Sequence, residues 1–113
     1  MTDSCLFCRI ARKEIPATIV FEDDTVVGFR DIDAKAPTHV LVIPRAHVAS
    51  LDAATDAAML GALQLAAAAI ARSEGIAASG YRTVINSGPD AGQAVFHVHL
   101  HLLGGRKLGW PPG

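Results

Sequence analysis

Three of the five histidines in this chain fall at alternate positions of one short segment, Val95-Phe-His-Val-His-Leu-His-Leu-Leu103. Imidazole has an ordinary pKa near 6.5, so at pH 7 a neutral, nucleophilic ring can stand beside a protonated one. An extended strand sends successive side chains to opposite faces. His97, His99 and His101 would then share one face, with Val98, Leu100 and Leu102 on the other. Neighbouring histidines would stand roughly 6.5–7 Å apart at Cα, which lets each ring touch a different part of one small anion. Three readings are open to such a row. It can be a solvated polar face, it can offer His-x-His ligands to zinc, or one ring can attack phosphorus while its neighbours hold phosphate oxygens.

A second group of reactive side chains opens the chain. Cys5-Leu-Phe-Cys8 has the spacing of half a structural zinc site, and His47 and His97 are available to complete it. Free thiols and a redox pair are the other readings, although no βαβ context of the thioredoxin kind surrounds the cysteines.

The elements that must position these residues can be read from pattern. A short helix is expected over Leu6–Lys13, stopped before Pro16. Ile19–Glu22 and Val26–Arg30 flank Asp23-Asp24-Thr25 as a β-hairpin, and His39–Pro44 forms a third, apolar strand. Thr55 or Asp52 can cap a long helix that reaches about Ser73, with Leu60, Leu63, Ala67 and Ile70 on one face and Gly75 closing it. Tyr81–Asn86 and Val95–Leu103 make strands four and five, joined by the turn-rich Ser87–Gly92. This order predicts an α+β domain, an antiparallel sheet of about five strands with one long and one short helix.

Composition sets the outer bounds. The 113 residues suit one domain over 1–113, and 50% hydrophobic with 19% charged residues is enough for one core. A net charge of −1 excludes broad electrostatic attraction to nucleic acid or anionic lipid, so any phosphate must be held by local groups. No signal peptide is read at the N-terminus. The greasy run Ala57–Ala71 is broken by Gly61 and Gln64 and falls short of the ~20 residues of a membrane span. A cytoplasmic location is expected, where the two cysteines would be thiols or metal ligands.

The segment His97-Val-His-Leu-His-Leu-Leu103 resembles the signature of the histidine triad (HIT) superfamily. Phe29-Arg-Asp-Ile32, Pro37–Pro44, Asn86, Gly92-Gln93, Gly104-Gly-Arg106 and Trp110-Pro-Pro-Gly113 extend the likeness to its Hint branch, from Cys5 to Gly113. The transferase branch carries glutamine where this chain has His101, and the Fhit branch usually lacks the Trp-Pro-Pro-Gly ending.

The resemblance implies a purine nucleoside phosphoramidase that passes through a nucleotidyl-histidine intermediate. It makes His99 the nucleophile, with His101 and His39 binding phosphate oxygens or the leaving group. Leu6, Phe7, Ile10, Phe29, Ile32 and Leu41 would sandwich the base, and Asp31 would accept from the ribose hydroxyls. Asn86 and the loop Gly88–Gln93, Gly92 included, would donate to the phosphate. Ala94 stands where the branch often has a hydroxyl residue, which implies a modest loss of help to the leaving group. Zinc on Cys5, Cys8, His47 and His97 would be structural, with no catalytic metal. Trp110 would pack near the neighbouring subunit's site in a homodimer. A dinucleoside polyphosphate hydrolase and a low-turnover nucleotide-binding scaffold or sensor are the rival functions.

Overall fold

Alternation in the central strands divides the molecule into two faces. In the computed structural model, which describes residues 2–113, five antiparallel strands form one open sheet. The first residue of the domain expected over 1–113 lies outside the described residues. The strands are β1 (Ile19–Glu22), β2 (Val26–Arg30), β3 (Thr38–Pro44), β4 (Tyr81–Val84) and β5 (Leu100–Gly104), in spatial order β1-β2-β3-β5-β4. The hairpin β1–β2 has the bounds expected from sequence. β3 is buried along its whole length, so its apolar run serves both faces.

On one face lies the long helix α2 (Ala57–Ser73), whose Met59, Leu63, Ala66, Ala67 and Ile70 pack on Val26, Val40, Val42, Leu100 and Leu102. The approach is close at Gly28, where a Cβ would come within 2.8 Å of Ile70 Cδ1. On the other face the short helix α1 (Leu6–Ala11) sets Phe7, Ile10 and Ala11 against Val27, Phe29, Leu41 and Ile43. No helix among the described residues is long and apolar enough to cross a membrane.

Both helices depart from the expected bounds, each for a local reason. α1 ends at Ala11 and not at Lys13, because Lys13 takes a left-handed φ of 62°. The Glu14 and Lys13 amides then donate back to the Arg9 and Ile10 carbonyls, a Schellman-type end with lysine in the usual glycine place. α2 is capped by Asp56, whose Oδ1 accepts from the Met59 amide at 3.1 Å, and not by Thr55 or Asp52. Gly75 follows the helix end at a φ of 77°, as expected of a terminator.

The histidine strand changes most. β5 begins only at Leu100, so His97 and His99 precede it. The β3–β5 register pairs Val42 with Leu100, which would place Pro44 opposite Val98. Proline has no N–H to donate, and the ladder stops there. The Val98 amide donates to the Val48 carbonyl instead. β4 likewise stops at Val84, two residues short of Asn86.

The cap assignment is testable by stability. Asp56→Ala should cost about 1 kcal/mol in urea unfolding, with Thr55→Ala and Asp52→Ala each costing less than half of that. Equal losses at all three positions would contradict the assignment.

Candidate active site and metal centre

The three triad histidines keep to the α1 side of the sheet although two of them lie outside the strand. Phe7 meets the His97 ring edge-on at 6.0 Å and the His99 ring at 5.0 Å, and the His99 and His101 centroids are 5.1 Å apart. His97 is fully buried, His99 is buried and His101 is half-buried, which grades the row from core to cleft.

Main-chain groups decide which nitrogen of each ring carries the proton. His99 Nδ1 lies 2.8 Å from the His97 carbonyl and must donate to it, so in the neutral ring Nε2 keeps a free lone pair. The Lys35 amide donates to His39 Nδ1 at 3.0 Å, which leaves the proton of a neutral His39 on Nε2. That Nε2 is 2.9 Å from His101 Nδ1 and 3.3 Å from Asp31 Oδ2. Burial holds His39 below the ordinary imidazole pKa, partly opposed by the Asp31 carboxylate. His39 therefore donates to His101 Nδ1, and neutral His101 carries its own proton on Nε2. The row ends in one bare nitrogen, on His99, next to one N–H, on His101.

Asp31, His39 and His101 are close enough together to be considered as a metal set. The Lys35 amide argues against it. With Nδ1 already accepting a hydrogen bond, His39 could ligate through Nε2 only by losing its second proton.

His99 and His101 line a cleft of about 350 Å³ whose other walls include Leu6, Phe7, Ile10, Phe29, Asp31, Ile32, Leu41 and Ala94. All the apolar positions expected to hold a base are thus brought to one cavity, with Asp31 at its polar end. Ile15, Pro16, Ala17, Arg30 and Val95 line it as well; nothing in their sequence pattern distinguishes them from ordinary core or loop residues. Asp31 Oδ1 accepts from the Asp33 amide at 2.8 Å, which orients the carboxylate. A second cavity of about 370 Å³ shares Asp31 and His101 and adds His39, Asn86 and Lys35.

Two expected contributors stand differently. Gln93 is buried, its Oε1 accepting from the Gly88 amide and its Nε2 donating to the Ala49 and Val95 carbonyls. Its side chain braces the Gly88–Gln93 loop, and Gly92 takes a left-handed φ of 81° within that loop. Trp110 is 80% exposed and sits beside Arg82, outside the cleft of its own chain.

Behind the row, His97 turns away from the cleft. Its Nε2 donates to the Pro44 carbonyl at 2.8 Å, so its bare Nδ1 faces Cys5, Cys8 and His47. The Nδ1–Sγ separations are 3.4 Å to Cys5 and 3.5 Å to Cys8, and His47 Nδ1 lies 3.3 Å from Cys8 Sγ and 3.2 Å from His97 Nδ1. A tetrahedral zinc with Zn–S near 2.3 Å and Zn–N near 2.0–2.1 Å has S···N edges of about 3.5 Å and N···N edges of about 3.3 Å. The donor set and its spacing fit such an ion. The carbonyl partner on the far nitrogen of His97 is the usual device for orienting a ligating imidazole. Burial, with Cys5 next, pushes the Cys8 thiol up to about 11, so it holds its proton at neutral pH unless a cation displaces it. His47 is exposed, which gives an ion a way in.

Known proteins share this fold. The HIT domain family matches the chain over residues 12–108. The purine nucleoside phosphoramidase of Escherichia coli is 46% identical over 111 residues, covering 96% of this chain and 93% of that protein. A 14 kDa zinc-binding protein of Zea mays is 47% identical over 116 residues, covering 96% and 87%. The crystal structure of a HIT family hydrolase from Legionella pneumophila superposes with a TM-score of 0.95 at 49% identity, over 97% of this chain and all of that one. With its fold, its histidine row and its relatives in accord, the chain belongs to the HIT domain family.

Proposed function

We propose that this protein hydrolyses purine nucleoside 5′-phosphoramidates, and related acyl- or amino-nucleotides, to the nucleoside monophosphate. The observation that carries the reading is the hydrogen-bond geometry at the end of the row: the His97 carbonyl holds His99 Nδ1–H, so a neutral His99 offers Nε2 beside His101, whose Nδ1 faces His39. The likeness to the Escherichia coli phosphoramidase supports the same substrate class.

The apolar cleft takes the purine, and Asp31 accepts from the ribose hydroxyls, which favours ribonucleotides. His99 Nε2 gives its lone pair to the α-phosphorus, and the phosphorus–nitrogen bond to the leaving amine breaks. The departing amine accepts a hydrogen bond from His101 Nε2–H and takes its proton from solvent water, so His101 stays neutral. The positive charge left on the His99 ring is stabilised by its Nδ1–H bond to the His97 carbonyl. Water then attacks phosphorus, its proton passes to solvent, and the electron pair of the nitrogen–phosphorus bond returns to His99. The Asn86 side chain holds the phosphate oxygens, because the Gly88, Gly92 and Gln93 amides are occupied within their own loop. Ala94 offers an amide there and no hydroxyl.

Zinc on Cys5, Cys8, His47 and His97 is part of the proposal, supported by the donor spacing and the maize relative. Four protein ligands close the site, so the ion would supply structure alone. Two unpaired cysteines suit a cytoplasmic setting. A second copy of the chain is expected along the open edge of β4, where exposed Tyr81 and Trp110 lie.

His99→Asn should leave adenosine monophosphate binding within a few-fold by calorimetry while kcat on adenosine 5′-phosphoramidate falls by at least about 10³-fold. Turnover equal to the parent would refute the mechanism, and a competent rival reaction would show as cleavage of dinucleoside polyphosphates by the parent alone. A second expectation concerns acid. Burial, followed by neighbouring His99 and His39, lowers His101 to about 4 from the ordinary 6.5. Between those values the unfolded chain binds the extra proton and the folded chain does not, so stability falls as pH drops through this window. His101→Gln should make the fall of the melting temperature between pH 6.5 and 4 shallower, the remainder coming from the other buried histidines; an unchanged slope would contradict a neutral, acceptor His101.

A further inference from the structure

The residues of α1 serve two sites at once. Cys5, its N-cap, and Cys8, in its first turn, bring their sulfurs to His97 and His47. Leu6, Phe7 and Ile10, interleaved with them along the chain, line the apolar cleft with His99 and His101. The helix has only six residues, far below the length at which a helix holds itself together in water. Its first turn is capped by Cys5 Sγ, which accepts from the Cys8 amide at 3.4 Å.

Phe7 joins the two sites. Its ring rests edge-on against both His97 and His99, and these two histidines are tied to each other by the His99 Nδ1–H bond to the His97 carbonyl. Whatever fixes Cys5, Cys8 and His97 therefore fixes the wall of the cleft and the seat of the His99 ring. Side-chain packing and the short helix are the physical link.

Resting on the nucleotide reading given above, we infer that the Cys5–Cys8–His47–His97 cluster is a positioning site for the cleft. A soft divalent cation held there raises the affinity for a purine nucleoside monophosphate, and nucleotide in the cleft tightens the hold on the cation. Each cysteine binds the ion as thiolate, its proton passing to solvent, and no bond of the nucleotide changes. The two affinities must shift by one factor, because coupling between binding sites is reciprocal. The cation acts on binding and leaves the chemistry to the histidines. Its loss should raise KM by a larger factor than it lowers kcat at saturating substrate.

The test is a thermodynamic cycle with Zn²⁺ and adenosine monophosphate. The nucleotide is titrated by calorimetry into chelator-stripped protein and into the same protein reloaded with one equivalent of Zn²⁺. Zn²⁺ affinity is measured by competition with a chromophoric chelator, with and without saturating nucleotide. The expected result is a dissociation constant for the nucleotide at least about 5-fold weaker in the stripped protein, and the same factor in the Zn²⁺ arm. His47→Gln removes a ligand that lines neither cavity. Its nucleotide affinity should equal that of stripped protein and ignore added Zn²⁺.

Far-UV circular dichroism at the assay temperature reports whether the stripped chain is folded. Equal nucleotide affinity of folded stripped and loaded protein would overturn the inference. So would an unfolded stripped chain, since the ion would then hold up the whole fold and not one wall. Failure of the loaded protein to bind nucleotide at all would instead overturn the nucleotide reading, and the inference with it.

Discussion

An imidazole buried beside other imidazoles is useful only if its proton sits on a known nitrogen, and in this protein the main chain decides that. The His97 carbonyl takes the proton of His99 Nδ1, the Lys35 amide occupies His39 Nδ1, and the Pro44 carbonyl takes the proton of His97 Nε2. His101 has no such backbone tie in the ring-to-ring chain and takes its state from His39. Among the described residues no buried side-chain nitrogen or oxygen lacks a partner. A network satisfied in this way is rigid, and rigidity keeps the bare nitrogen and the N–H on adjacent rings.

The sheet makes this possible by separating duties. One face is closed by α2 with aliphatic packing and carries none of the histidines. The other is covered by a helix too short to close it, and the uncovered part is the cleft. Pro44 connects the two arrangements: it stops the β3–β5 ladder short of Val98, and its carbonyl then turns to His97. The residues released from the ladder, His97 and His99, are those whose rings diverge, one towards the cysteines and one towards the cleft.

Much of this was legible in the sequence. The hairpin β1–β2, the buried β3 and the long helix follow from apolar periodicity and turn residues, and the structure has them. The alternation of His97, His99 and His101 placed the rings on one side, although the strand is shorter than the pattern implies. The reason is a residue on another strand, Pro44, which a reading of the histidine segment alone does not include. The Asp56 cap was missed because Asp52, Thr55 and Asp56 are all suitable residue types, and only backbone geometry chooses among them. Gln93 has the composition of a phosphate-loop donor, yet its amide is spent on the Gly88, Ala49 and Val95 main chain. The groups that set the proton states are backbone amides and carbonyls, which have no residue identity to read.

The most direct test of this account is the protonation map of the histidine rings, read by nitrogen-15 NMR of protein labelled at the imidazoles, near pH 7. His99 should appear as the Nδ1–H form with a pyridine-like Nε2, and His39 and His101 as Nε2–H forms. A His99 ring carrying its proton on Nε2 would remove the free lone pair and contradict the central claim.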